Sequence, residues 1–93
     1  MYNNDIYSVE VNEEAKETVI VNFEEMIEEY SDAVYECEDI MLSVEEKFPN
    51  LVESVDEPQD AYYIVTCCDE DGAEEIEKYL ESKFAQLQEE LED

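Results

Sequence analysis

The sequence predicts an α+β domain in the order ββαββα, an antiparallel sheet with two helices packed on one face. Three observations predict it. Apolar residues alternate at period two near residues 6–11 and 18–23, residues 61–68 form a β-branched and aromatic run without a charge, and two long stretches carry apolar residues every three or four positions. With 93 residues, one Gly, two Pro and no internal repeat, these elements fit a single domain, 1–93.

The first strand, Ile6 to Val11, places Tyr7, Val9 and Val11 on one face, and the second, Thr18 to Phe23, repeats the pattern with Val19, Val21 and Phe23. Polar residues Asn12 to Glu17 join them as a hairpin without a tight-turn pair such as Asn-Gly. Asn22 is a helix N-cap with Glu25 three positions on, and Val21 and Met26 are spaced as a hydrophobic staple. The stripe Met26, Tyr30, Ala33, Cys37, Met41, Val44 and Phe48 then predicts one helix ending at Pro49, some 25 residues and roughly 37 Å long. Leu51 to Val55 reads as a short edge strand, and Asp56 to Asp60, with Pro58, as a polar loop. Ala61 to Cys68 is the strongest strand. After the turn Asp69 to Gly72, a second helix runs from about Ala73 to Leu91, with Asp71 and Glu74 as a capping pair and Ala73, Ile76, Leu80, Phe84, Leu87 and Leu91 as its stripe.

Charge narrows the function more than the fold does. Thirty Asp and Glu against four Lys, with no Arg, leave −26. Such a chain cannot neutralise phosphates, so direct nucleic-acid binding is excluded, and anionic membrane surfaces are disfavoured for the same reason. Acidic disordered chains are poor in aromatic and β-branched residues, whereas this one is 44% hydrophobic and 11% aromatic, which predicts a folded body under an extreme surface. The start Met-Tyr-Asn-Asn-Asp has no leader pattern and no apolar run approaches the ~18 residues of a membrane span, so a soluble cytoplasmic protein is expected.

Catalysis fits poorly. Without His there is no ordinary base poised near neutral pH, and without Arg no bidentate clamp; carboxylate pairs among 30 acids arise by chance. No enzyme activity and no cofactor are expected. Cys37, Cys67 and Cys68 lack Cys-x-x-Cys spacing and His partners, and read as reduced thiols, with Cys67 and Cys68 on opposite strand faces. Asp69-Glu70-Asp71-Gly72 resembles the middle of a calcium loop. Placing Gly72 at the sixth loop position puts Cys67 and Lys78 where the anchoring carboxylates belong, so a turn and helix cap is expected instead of a metal site.

The distribution of acids is the informative feature. Glu17 to Glu46 carries eleven acids without a Lys, and Glu53 to Glu77 carries ten. On one continuous helix, Glu25, Glu28, Glu29, Asp32, Glu36, Asp39 and Glu46 would lie opposite the apolar stripe and, with Glu24 and Glu45, make an acidic ridge; Asp69, Glu70, Asp71, Glu74 and Glu75 form a second acidic segment. Pairs 24/28, 25/29, 28/32 and 32/36 place like charges at i,i+4, each costing about 0.2–0.5 kcal/mol. Glu45, Glu46, Glu89, Glu90, Glu92 and Asp93 also crowd helix C-termini, the unfavourable end of the dipole. Solubility needs a net charge of only about 2–8, so self-repulsion on this scale points to use of the field. Duplex DNA carries about one charge per 1.7 Å, so the net charge equals that of roughly 44 Å of duplex.

In its acidic ridge Glu24-Glu25 to Glu45-Glu46, its Asp69-Glu70-Asp71 segment, its size and its aromatic strand, the chain resembles the small DNA-mimic proteins of bacteriophages, most of all the anti-restriction proteins of the T-even phages. The resemblance implies inhibition of a host restriction nuclease acting on modified DNA, or of a histone-like nucleoid protein, in the host cytoplasm. The competing expectation is an acidic chaperone or assembly factor for basic proteins; such chaperones often use flexible acidic tails, whereas these acids fall mostly in regular structure. A homodimer is a further expectation, with Tyr35 and Leu42, seven residues apart and off the core stripe, as its contact, or else a sheet face or edge bearing Tyr62 or Tyr63.

Overall fold

A computed structural model describes residues 6–92, with Asp93 outside the described residues. Strands β1 (Ser8–Val11), β2 (Thr18–Asn22), β3 (Val52–Gln59) and β4 (Tyr62–Cys67) form one antiparallel sheet in the order β1-β2-β4-β3. Helices α1 (Glu24–Glu29) and α2 (Val34–Lys47) follow β2, and α3 (Glu70–Glu92) ends the described chain. The expected α+β class and order are therefore present. The charge-free run at 62–67 lies inside the sheet, between β2 and β3, as its lack of charge requires.

Alternation decides which sheet face is covered. Val9 pairs with Val21, Val11 with Val19, Val19 with Val65 and Val65 with Val55, so one apolar row crosses all four strands. Over it pack Met26, Ala33, Cys37, Met41 and Val44 from the first helical stretch and Ala73, Ile76, Leu80, Phe84 and Leu87 from α3. Four rings stack through this core from Tyr7 to Phe84, Phe23 and Tyr63, with centroids 5.7, 5.5 and 5.6 Å apart. Two side chains of α3 also reach the β1 side: Glu77 accepts the Val11 N–H at 3.0 Å and buried Gln88 accepts that of Ile6 at 3.0 Å.

The hairpin turns by local side-chain bonds. Asn12 Oδ1 accepts the Glu14 N–H at 3.0 Å, and Thr18 Oγ1 donates to the Ala15 carbonyl at 2.7 Å. Asn22 is not the N-cap expected of it: the capping position of α1 is Phe23, which makes no side-chain bond, and Asn22, one residue earlier, forms a turn in which its Oδ1 accepts the Glu24 N–H at 3.0 Å.

The single long helix expected over residues 23–48 is broken. At Tyr30 the backbone leaves the helical region (φ −134°, ψ 79°), and a 3-10 turn, Ser31–Ala33, separates α1 from α2. The Cys37 thiol lies 3.5 Å from Met26 Sδ. Eleven residues along a straight helix would separate them by about 16 Å, so α1 folds back against α2. The apolar spacing survives because the 3-10 turn, at three residues per turn, still presents Ala33 inward.

Other boundaries also differ from expectation: β1 starts at Ser8 rather than Ile6, β2 ends at Asn22 rather than Phe23, and β4 spans Tyr62–Cys67 rather than Ala61–Cys68. Strand β3 continues through Pro58 to Gln59 rather than ending in a loop; it is an edge strand, where a missing N–H is tolerated. A two-residue turn, Asp60-Ala61, then joins it to β4, with Ala61 in the left-handed region at φ 64°. Helix α3 starts at Glu70 rather than Ala73, and its cap is Asp69 rather than Asp71: Asp69 Oδ1 accepts the Gly72 N–H at 2.7 Å. Gly72 lies in the first helical turn, where an added Cβ would come within 3.2 Å of that same oxygen.

Candidate functional site

Burial of one side of each helix dictates where the acids go. Met26 is the buried residue of α1, so Glu24, Glu25, Glu28 and Glu29 are exposed around it; Asp32 is exposed on the 3-10 turn. On α2, burial of Cys37, Met41 and Val44 leaves Glu36, Asp39, Glu45 and Glu46 exposed. On α3, burial of Gly72, Ala73 and Ile76 does the same for Glu70, Asp71, Glu74 and Glu75, and Asp69 is exposed beside them. Every candidate carboxylate thus faces solvent.

These carboxylates do not form one straight ridge. Glu25 borders a surface hollow with Ile6, Tyr7, Ser8 and Asn22, at the start of β1. Glu70, Asp71 and Glu74 surround a second hollow with Glu77, Val11 and Lys16, at the other end of that strand. Four extended residues separate Tyr7 from Val11, about 14 Å. The acids of α1 and of α3 therefore flank opposite ends of the sheet, and those of α2 line a third region.

The lysines are placed unevenly. Lys16 sits among the α3 acids, which already enjoy the favourable end of a helix dipole. Lys47 and Lys83 lie 5.6 and 5.7 Å from the centroid of the Tyr79 ring, and the Tyr79 hydroxyl shares a 2.7 Å hydrogen bond with Ser43. Two of the four cations are thus spent on an aromatic ring in the α2–α3 seam. The stretch from Glu17 to Glu46 has none, so α1 and the outward side of α2 are the least compensated surface.

Sequence reasoning missed a groove between α2 and α3. Ile40 and Leu87 form its floor; Glu36, Asp39, Glu90 and Lys83 stand at its rim. Only Glu36 and Asp39 among these were expected to matter, and the antiparallel pairing of α2 with α3 brings Glu90 across to them. Tyr35 and Leu42 are the exposed large hydrophobic residues among the described ones, 71% and 61% exposed.

No family model, curated protein or solved structure matches this chain.

The chemistry open to this surface is accordingly that of its own groups. Burial pushes the Cys37 thiol up to about 12, with Glu36 and Glu38 adding to the effect, and the Cys67 thiol up to about 11. Both stay protonated and inert near neutral pH. Cys68 lies one residue past the end of β4 rather than on its opposite face, and is exposed there. Among the described residues no three His, Cys, Asp or Glu side chains converge to hold a metal ion. Asp69, the first acid of the calcium-like segment, is engaged in capping α3. Among the described residues no helix is long and apolar enough to cross a membrane.

Proposed function

We propose that the protein is a non-catalytic DNA mimic that occupies the DNA-binding cleft of a target protein and excludes duplex DNA from it. The observation that carries this reading is charge density. Setting aside Asp5 and Asp93, 28 acids and four Lys leave −24 over residues 6–92, within a body 36 Å long. That is roughly one net charge per 1.5 Å, against about 1.7 Å in duplex DNA, over about one helical turn of duplex. The bend at Tyr30 replaces the single line of charge expected of a straight helix with acids distributed over several regions of the surface.

Rigidity supports the mimic over an acidic chaperone. The candidate acids other than Asp69 all stand on α1, the 3-10 turn, α2 or α3, in fixed positions rather than on a flexible tail. The targets that suit the surface are a host restriction nuclease acting on modified DNA and, next, a histone-like nucleoid protein, both met in the cytoplasm. The resemblance to the phage anti-restriction proteins supports the same reading.

Competition tests it. The protein is titrated into preformed complexes of each target with fluorescent duplex DNA. Displacement without a ternary complex is expected, with association slowing steeply as salt rises toward 0.15 M, where the Debye length is about 8 Å. Accumulation of a ternary complex would overturn mimicry.

A further inference from the structure

The outward side of α2 has a pattern that charge mimicry alone does not require. At 100° per residue, Tyr35 and Leu42 differ by only about 20° around the helix and form one line along its outer surface. Asp39 and Glu46 run along one flank of that line, and Glu38 and Glu45 along the other, all exposed. Consecutive residues stand about 100° apart, so on a helix about 11 Å across the two acidic rows are roughly 8 Å apart. An apolar seam between two carboxylate rows is the complement of an apolar seam between two cationic rows.

A second copy of this chain is the wrong occupant. Tyr35 can meet Leu42 across a two-fold axis only if the two α2 helices run antiparallel, which sets each acidic row against the same row of the other copy, Glu38 beside Glu38 and Asp39 beside Asp39. Each flank then faces like charge. A basic surface instead neutralises both rows and covers the seam.

Resting on the DNA-mimic reading, we infer that Tyr35 and Leu42 are the apolar anchors of the target interface. They insert between the basic residues of a DNA-binding cleft and supply affinity that salt does not screen. Tyrosine at the centre of a polar-rimmed patch is the composition of an interface hot spot. The device answers a competitive problem: DNA presents similar charge to the same cleft, and charge alone weakens both ligands together as salt rises.

Tyr35→Ala, Leu42→Ala and the double variant test this, each checked by circular dichroism. Displacement of duplex DNA from the restriction nuclease and from the nucleoid protein is measured between 0.05 and 0.4 M NaCl, with poly-L-lysine as a charge-only ligand. Each single variant is expected to weaken displacement about tenfold at every salt concentration, with an unchanged slope of log affinity against log salt and unchanged binding to poly-L-lysine. Full displacement by a folded double variant would overturn the anchor while leaving mimicry intact. Failure of the wild type to displace DNA from either target would remove mimicry and the anchor with it. Loss of poly-L-lysine binding by the double variant would reduce the effect to charge, and sedimentation showing a wild-type dimer that the double variant dissociates would assign the seam to a second copy; either result overturns the inference.

Discussion

Neutralising Glu28 and Glu29 separates the electrostatics of α1 from its packing. Both are exposed in the last turn of a six-residue helix, and each stands four residues after another carboxylate, Glu24 or Glu25. Glu28→Gln plus Glu29→Gln keeps side-chain length and helix propensity while removing both repulsive pairs. At about 0.2–0.5 kcal/mol per pair, the gain is about 0.4–1.0 kcal/mol. For a domain of this size that corresponds to a Tm rise of about 2–8 °C. Thermal unfolding followed by circular dichroism in 0.02 M salt reads it directly. In 1 M NaCl, where the Debye length is about 3 Å, the gain is expected to vanish. Asp32→Asn is the comparator. In a continuous helix Asp32 would repel both Glu28 and Glu36 and its neutralisation would help most. With the break at Tyr30, Asp32 instead precedes α2 at the favourable end of its dipole, so Asp32→Asn is expected to give no gain. A larger rise for Asp32→Asn than for the Glu28/Glu29 pair would refute the bend, and a gain that persists in 1 M NaCl would refute its electrostatic origin.

Other outcomes follow from the buried groups. Titrated with a thiol-specific disulfide reagent at pH 8, the native protein is expected to release one fast equivalent, from Cys68, with Cys37 and Cys67 reacting only on unfolding; two fast equivalents would contradict their burial. Stability is expected to fall above pH 9. The folded protein holds Cys37 and Tyr63 to about 12 and Cys67 to about 11, while the unfolded chain releases these protons near 9 and 10. Stability is therefore complete below pH 9 and declines toward pH 11–12, by at most about 1.4 kcal/mol per pH unit for each group. An unchanged urea midpoint between pH 8 and 10.5 would count against it.

Much of this fold was legible where one physical signal acted alone. The strand at 62–67 needed only its β-branched and aromatic composition without a charge, and the α3 stripe from Ala73 to Leu91 only periodicity. The break at Tyr30 was hidden because the inward spacing Met26, Ala33, Cys37 suits both a straight helix and a helix interrupted by a 3-10 turn. The available signal was Ser31-Asp32, residues that prefer caps and turns to helix interiors. Pro58 was misleading because its tolerance depends on β3 being an edge strand, which is a property of the sheet and not of the segment. The cap was expected at Asp71, and its true place at Asp69 shows only in which carboxylate the Gly72 N–H reaches. The exposure of the candidate acids followed from the stripes opposite them. Their division between two ends of β1 depends on how α1 and α3 are docked, a long-range matter that local pattern does not encode.

The edges of the sheet have a consequence for how concentrated this protein can become. An open strand edge is a template for intermolecular pairing, the route to aggregates and fibrils. Here β3 presents Pro58, two irregularities of register and the exposed acids Glu53, Asp56 and Glu57 along its length. At the opposite edge β1 is only four residues long, and the Val11 N–H is already taken by Glu77. Neither border offers an incoming strand a straight, uncharged ladder. The chain can therefore keep an apolar sheet at its centre without its borders templating further strands, so strand pairing does not set the limit on its concentration.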